Sequence, residues 1–180
     1  MLMVGSDFRL KGLERTMHAL AELPATLKSK SELWVVGDDD PQSWKSLAKR
    51  LGVTDQVRFL GPKRELCPFY YAADLFIHPA HKEAAGLVIL EALACGLPVI
   101  TTDICGYAHH VIKSRGGIVL PSPFKQQQLN NKVAQLVEDK YLCQGYMTNI
   151  ITYCQQANLY SGQIDAVNRL EVIAKDKMEL

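Results

Sequence analysis

Short runs of consecutive apolar residues alternate along this chain with stretches in which apolar positions recur every three or four residues. The runs Leu2 to Gly5, Leu33 to Gly37, Val57 to Gly61, Leu75 to Pro79, Pro98 to Thr102 and Gly117 to Pro121 have the length of strands. Between them the period becomes helical: Leu13, Met17, Leu20 and Ala21; then Trp44, Leu47 and Leu51; then Leu66, Phe69, Tyr70 and Ala73. Pro24, Gly52 and Gly96 punctuate the ends of these helices. Leu129, Val133, Leu136 and Val137 mark a further helix, and two more helical stretches follow, Tyr141 to Gln156 and Gly162 to Lys177. This alternation predicts an α/β fold: a doubly wound, six-stranded parallel sheet covered by helices on both faces, with additional C-terminal helices.

Such a sheet takes its ligands beyond the carboxyl ends of the strands, at the crevice where the strand order reverses. In the common order that crevice lies between the first and fourth strands. The loop Ser6 to Gly12 should therefore face the loop Ala80 to Glu83. Directly after the second loop comes Glu83-Ala84-Ala85-Gly86-Leu87-Val88-Ile89-Leu90-Glu91, and Glu91 is the only charged residue between Ala84 and Ile100. A lone carboxylate in so apolar a segment needs water, a cation or hydroxyl donors, and a ribose offers two hydroxyls. A helix opening at Ala84 to Leu87 would present unpaired amides and its positive dipole end, a seat for a diphosphate. Glu91 would follow on the order of 10 Å along the axis. Taken alone, the two glutamates fit a solvated surface helix equally well. Lys11, across the crevice, is the natural counter-charge for a phosphate at Gly86; with no anion opposite it would be a solvated lysine at a helix start.

Several segments in order resemble the C-terminal, donor-binding half of a GT-B glycosyltransferase of family 4. They are Lys11-Gly12 after the first strand, Val57 to Gly61, Tyr71 to Pro79, the Glu83 and Glu91 pair, and Glu91 to Ile100. Within that family the pattern is nearest to the lipopolysaccharide-core heptose glucosyltransferases, on Val4 to Phe8, Glu83 to Gly86 and Cys105 to His109, with a weaker likeness at Asn158 to Ser161. The resemblance implies a Rossmann-like domain over residues 1–180 that binds a UDP-sugar, with the N-terminal acceptor domain absent from this chain. It implies that Glu91 binds the ribose, that the backbone at Ala85, Gly86, Leu87 and Val88 cradles the diphosphate, and that Glu83 contacts the donor sugar. Lys11 neutralises the leaving diphosphate, and the uracil lies near Gly61, Pro62 and Lys63. The implied activity is transfer of a hexose, glucose by likeness, with retention, to a lipopolysaccharide-core or related glycan, with no metal or other cofactor. Family members usually carry an arginine just after the glycine of the first strand, where this chain has Ser6. The heptose glucosyltransferase pattern sets one just before the lysine, where it has Leu10. Arg9 is the local arginine that remains.

Composition narrows the alternatives. A length of 180 residues suits one domain, and 48% hydrophobic with 22% charged residues is ordinary for a globular one. A net charge of +1, with basic residues scattered and only the short pairs Lys49-Arg50 and Lys63-Arg64, gives no footprint for nucleic acid. The apolar stretch from Ala84 to Ile100 is broken by Glu91, Gly96 and Pro98, unlike a membrane span, so at most peripheral membrane association is expected. Five cysteines without a paired motif fit a reducing, cytoplasmic setting. His78 and His81 lack a second ligand pair and do not make a zinc site. His109 and His110 are expected to cap or pack, with approach to a ligand as the alternative. Cys105 reads as a packing residue, and Asp40 before Pro41 as a helix N-cap. No G-x-G-x-x-G follows the first strand and no G-x-x-x-x-G-K-[ST] occurs, against a dinucleotide domain and a P-loop. Two readings stay open beside each other: half of a working transferase that needs a partner acceptor domain, which could be a separate chain, and a UDP-sugar-binding module or remnant without transferase activity.

Overall fold

The computed structural model describes residues 1–157; the expected helix from Gly162 to Lys177 and the segment from Asn158 to Ser161 lie outside the described residues. Six strands, β1 (Leu2–Val4), β2 (Leu33–Val36), β3 (Val57–Gly61), β4 (Phe76–His78), β5 (Val99–Thr102) and β6 (Gly117–Leu120), form one parallel sheet in the order β3-β2-β1-β4-β5-β6. The order reverses between β1 and β4, as the sequence predicts. Most strands are a residue shorter at one or both ends than their apolar runs, which close on Gly5, Gly37, Pro79 and Pro121. A proline cannot donate to the ladder, and glycine lets the chain turn away.

Eight helices flank the sheet in the described residues: α1 (Leu13–Ala21), α2 (Ala25–Lys28), α3 (Gln42–Leu51), α4 (Cys67–Ala72), α5 (Leu87–Ala94), α6 (Ala108–Ser114), α7 (Gln126–Glu138) and α8 (Lys140–Gln156). Side chains alternate across each strand. Met3, Leu33, Val35, Ile77 and Ile100 point to one face and pack with Leu13, Met17, Leu20, Leu47, Leu129 and Val133 of α1, α3 and α7. Leu2, Val4, Phe76 and Val99 point to the other, against Tyr70, Ile89, Leu93, Val111 and Ile150 of α4, α5, α6 and α8. Each large side chain so buried contributes about 1.5–3 kcal/mol.

Two short helices escape the sequence pattern. The four-residue α2 directly follows Pro24, where a helix end was expected. In α6 the adjacent His109 and His110 dilute the apolar signal of Ala108 and Val111. Gly52, in a left-handed conformation, closes α3, and Gly96, also left-handed, follows α5.

The seam between β1 and β4 is narrow, with one register pair, Leu2 opposite Phe76, where β1 and β2 share three. Loops reinforce it. The His81 amide donates to the Leu10 carbonyl at 2.7 Å, and the Arg15 guanidinium donates to the carbonyls of Pro79 and Ala80, each at 2.9 Å. Gly12, at φ 81°, lies so close that a Cβ there would stand 2.1 Å from the Pro79 carbonyl oxygen.

Candidate functional site

The loops after β1 and β4 meet across this seam, and their charged residues meet with them. Lys11 Nζ donates to Glu83 Oε2 at 2.5 Å, and His78 Nε2 lies 3.3 Å from the same oxygen. The Lys11 and Glu83 side chains retain 23% and 12% of their exposure, so the pair sits at the surface of the crevice. Burial alone would raise the Glu83 pKa, but the hydrogen bond and charge of Lys11, and then His78, outweigh it and hold the carboxyl below its usual value. Glu83 is therefore an anion at neutral pH. His78 is fully buried, and that burial drops its pKa to about 4 against the opposing pull of Glu83, so its imidazole is neutral.

Gly86 opens α5 in a left-handed conformation, φ 83°, with no side-chain cap. The Ile89 amide reaches the Gly86 carbonyl at 2.9 Å, while the amides of Leu87 and Val88 find no acceptor among the described residues. Those amides stand unpaired at the positive end of the helix dipole, at the turn where the sequence predicts an anion seat. The helix begins at Leu87, later than the expected opening at Ala84, so Glu91 stands about 6 Å along the axis from its start rather than about 10 Å. The Ala85 carbonyl accepts from the Tyr107 amide at 2.9 Å, and Gly106 presses on the Ala84 carbonyl, which fixes the turn against the loop after β5.

Glu91 is exposed, and its Oε2 accepts from the Tyr70 hydroxyl at 2.8 Å. Tyr70 is itself only 1% exposed, and burial, then the Glu91 hydrogen bond and charge, push its pKa upward so that the phenol stays a donor. Sequence reasoning missed this partner. The signal was present in the need of Glu91 for a hydroxyl donor and in the helical spacing that turns Tyr70 inward.

Asp39 was missed too. Its carboxylate accepts from the Asp7 amide at 2.9 Å and the Phe8 amide at 2.5 Å, tying the loop after β2 to the loop that carries Lys11. Asp40 does accept from the Gln42 amide at 3.1 Å, but Pro41 occupies the N-cap position instead of the first turn. Arg9 is exposed, and its side chain makes no hydrogen bond among the described residues. Pro62 and Lys63 are exposed beyond the edge strand β3, with the Lys63 ammonium 6.0 Å from the Phe69 ring centre. Lys11 and Glu83 thus meet at the sheet's reversal point, Ala85, Gly86, Leu87 and Val88 lead from Glu83 into the start of α5, Glu91 follows on that helix, and Pro62 and Lys63 stand at the edge-strand end.

His109 Nδ1 bonds the Gly106 carbonyl at 2.8 Å and His110 Nδ1 meets the Tyr153 hydroxyl at 2.6 Å, the capping and packing expected of them. Cys105 is buried and accepts from the Thr101 hydroxyl at 3.2 Å. No group of three metal-ligating side chains occurs among the described residues, and no described helix is long and apolar enough to cross a membrane.

A doubly wound sheet with an open helix start and a cation-held carboxylate facing each other at its reversal point is the architecture of the C-terminal, Rossmann-like domain of GT-B enzymes. The chain belongs to the family described as glycosyl transferases group 1, which matches residues 1–155. It is 42% identical over 161 residues to the lipopolysaccharide glucosyltransferase WaaG of Escherichia coli (strain K12), an alignment covering 89% of this chain and 43% of that protein. It is 36% identical over 131 residues to the D-inositol 3-phosphate glycosyltransferase 2 of Catenulispora acidiphila, covering 67% of this chain and 31% of that one. A WaaG crystal structure matches with a TM-score of 0.86 at 41% identity over 89% of this chain and 44% of its own. Anabaena HepE in complex with UDP-glucose matches with a TM-score of 0.75 at 26% identity, over 99% and 48%. The chain spans less than half the length of these relatives.

Proposed function

We propose that this chain is the donor-binding half of a retaining glycosyltransferase, moving a hexose, glucose by preference, from a UDP-sugar to a lipopolysaccharide-core or related glycan acceptor. The observation that carries the reading is the placement of Glu83 and Lys11 beside the unpaired amides of Leu87 and Val88 at the sheet's reversal point. WaaG is named a lipopolysaccharide glucosyltransferase and HepE was crystallised with UDP-glucose, which supports both the acceptor class and the donor. The diphosphate takes the Leu87 and Val88 amides and the Lys11 ammonium, the ribose takes Glu91, the uracil lies by Pro62 and Lys63, and Glu83 meets sugar hydroxyls. Arg9, exposed on the same loop as Lys11, is a second cation within the phosphate's reach.

In the reaction the bond between the anomeric carbon and the diphosphate oxygen breaks, and negative charge gathers on UDP. Amides and ammonium aimed at that charge lower the barrier without a metal. The acceptor hydroxyl arrives on the face the diphosphate leaves, giving retention, and its proton passes to the departing phosphate. The acceptor is positioned by an N-terminal domain, in the same polypeptide or a separate one, and the enzyme works in the cytoplasm.

Calorimetric titration with UDP, UDP-glucose and NAD tests the donor site. Binding of both uridine nucleotides and not NAD is the expected result; affinity for NAD alone, or for none of the three, would overturn it.

A further inference from the structure

His78 is a costly residue to place where it stands. It is fully buried on the side of β4 that faces α5, its ring stacks on Phe76 with centroids 6.0 Å apart and planes within 10°, and its Nδ1 has no hydrogen-bond partner. A leucine would fill such a site without leaving a buried polar atom unpaired. What a leucine would lack is the contact at the other nitrogen, 3.3 Å from Glu83 Oε2.

The two nitrogens fix the tautomer. Glu83 is an anion and accepts only, so a neutral imidazole beside it must offer Nε2–H. The remaining Nδ1 is then a bare lone pair with no proton to place, consistent with its standing unpartnered. Glu83 Oε2 is thereby held from two sides, by Lys11 at the mouth of the crevice and by His78 from the core, while Oε1 has no partner among the described residues and is not sealed from solvent.

We propose that His78 is the positioning residue for Glu83, holding the carboxylate aimed at the donor sugar when Lys11 turns to the diphosphate. This rests on the reading of Glu83 as the sugar contact. Lys11 is asked to serve two anions, and a donor's diphosphate competes with Glu83 for its ammonium. A mobile lysine shared in this way cannot by itself keep Glu83 in one rotamer. A neutral, packed imidazole can, and it adds no second positive charge that would draw Glu83 further from the sugar.

The test is calorimetric titration of the full 180-residue chain and its variants with UDP and with UDP-glucose. His78→Leu should weaken UDP-glucose binding about tenfold, the loss of one hydrogen bond to a charged group, and leave UDP within about twofold. His78→Gln, whose side-chain amide nitrogen reaches the Nε2 position, should recover most of the loss. Thermal melting of both variants separates folding from binding. In the parent, nitrogen-15 correlation spectra should show His78 as the Nε2–H tautomer, with a shift on adding UDP-glucose that UDP alone does not produce. Equal affinity of parent and both variants for UDP-glucose, an equal loss for both ligands, or an Nδ1–H tautomer would overturn the proposal. Failure of the donor-site reading itself is distinct, because it appears as absent UDP binding in the parent.

Discussion

Glu91 stands alone among apolar neighbours in sequence but not in space, since the Tyr70 hydroxyl holds one of its oxygens. If the other oxygen and the remaining lone pairs serve ribose, Glu91→Ala should weaken UDP binding by about 1.5–3 kcal/mol, and Tyr70→Phe by less, about 1 kcal/mol, because the carboxylate is kept but no longer aimed. Calorimetry decides, and unchanged affinity in Glu91→Ala would reject the ribose role. Lys11→Ala should weaken UDP and UDP-glucose but spare uridine, which carries no phosphate; a loss shared by uridine would place Lys11 in the fold instead. Much of the pH dependence of stability near neutrality belongs to His78, with His81 and His110, which burial also lowers, adding in the same direction. The folded pKa of His78, about 4, lies below the ordinary 6.5, so between those values the unfolded chain takes a proton that the folded one refuses. Stability should therefore fall as pH drops from about 6.5 to about 4, by roughly 3 kcal/mol from His78, and the depressed Glu83 carboxyl begins to lose its own contribution once pH passes below its ordinary value of 4.5. Denaturant titrations of the parent and His78→Gln check this: the variant's slope in that window should be clearly shallower than the parent's, and an equal slope would remove His78 as its source.

At the scale of elements, strands were legible because a fully buried parallel strand is a short unbroken apolar run, and little else in this chain looks like one. Helices were legible where one face alone is buried, as in α1, α3 and α7, and not where a helix is too short to show a period, as in α2, or has polar aromatics in its middle, as in α6. The candidate site's geometry was legible where it depends on an element's end, at Gly86 and Lys11, and hidden where it depends on packing between elements, as with His78, Tyr70 and Asp39. Two glycines separate these causes by experiment. Gly52, at φ 67°, has open space where a Cβ would go, so Gly52→Ala should cost only the left-handed backbone penalty of about 1–2 kcal/mol and a few degrees of melting temperature. Gly12→Ala adds a collision with the Pro79 carbonyl oxygen, 2.1 Å away, and should lower the melting temperature by at least about twice as much. Equal melting temperatures for the two variants would mean that the loops at the reversal point yield freely.

For the molecule as a whole, the proposed function makes the described residues one wall of a two-walled cleft. Orientation of two reactants accounts for about 7–11 kcal/mol of barrier reduction when it is complete, so the isolated chain should bind donor weakly and transfer no sugar to a lipopolysaccharide-core acceptor. An acceptor assay with this chain alone checks it; robust transfer that disappears in Glu83→Gln would show that one wall suffices. The narrow join between β1 and β4 carries a consequence of its own. Lys11 hangs from one side of that join and Glu83 from the other, so the join with the single register pair runs beneath the proposed donor site. A donor whose phosphate is gripped by Lys11 from the β1 side, and whose phosphate and sugar are both gripped from the β4 side, acts as a rivet through two plates. Amide hydrogens along Leu2–Val4 and Phe76–His78 should then exchange more slowly once UDP-glucose is bound, while those of Gly117–Leu120, at the far edge, keep their own pace.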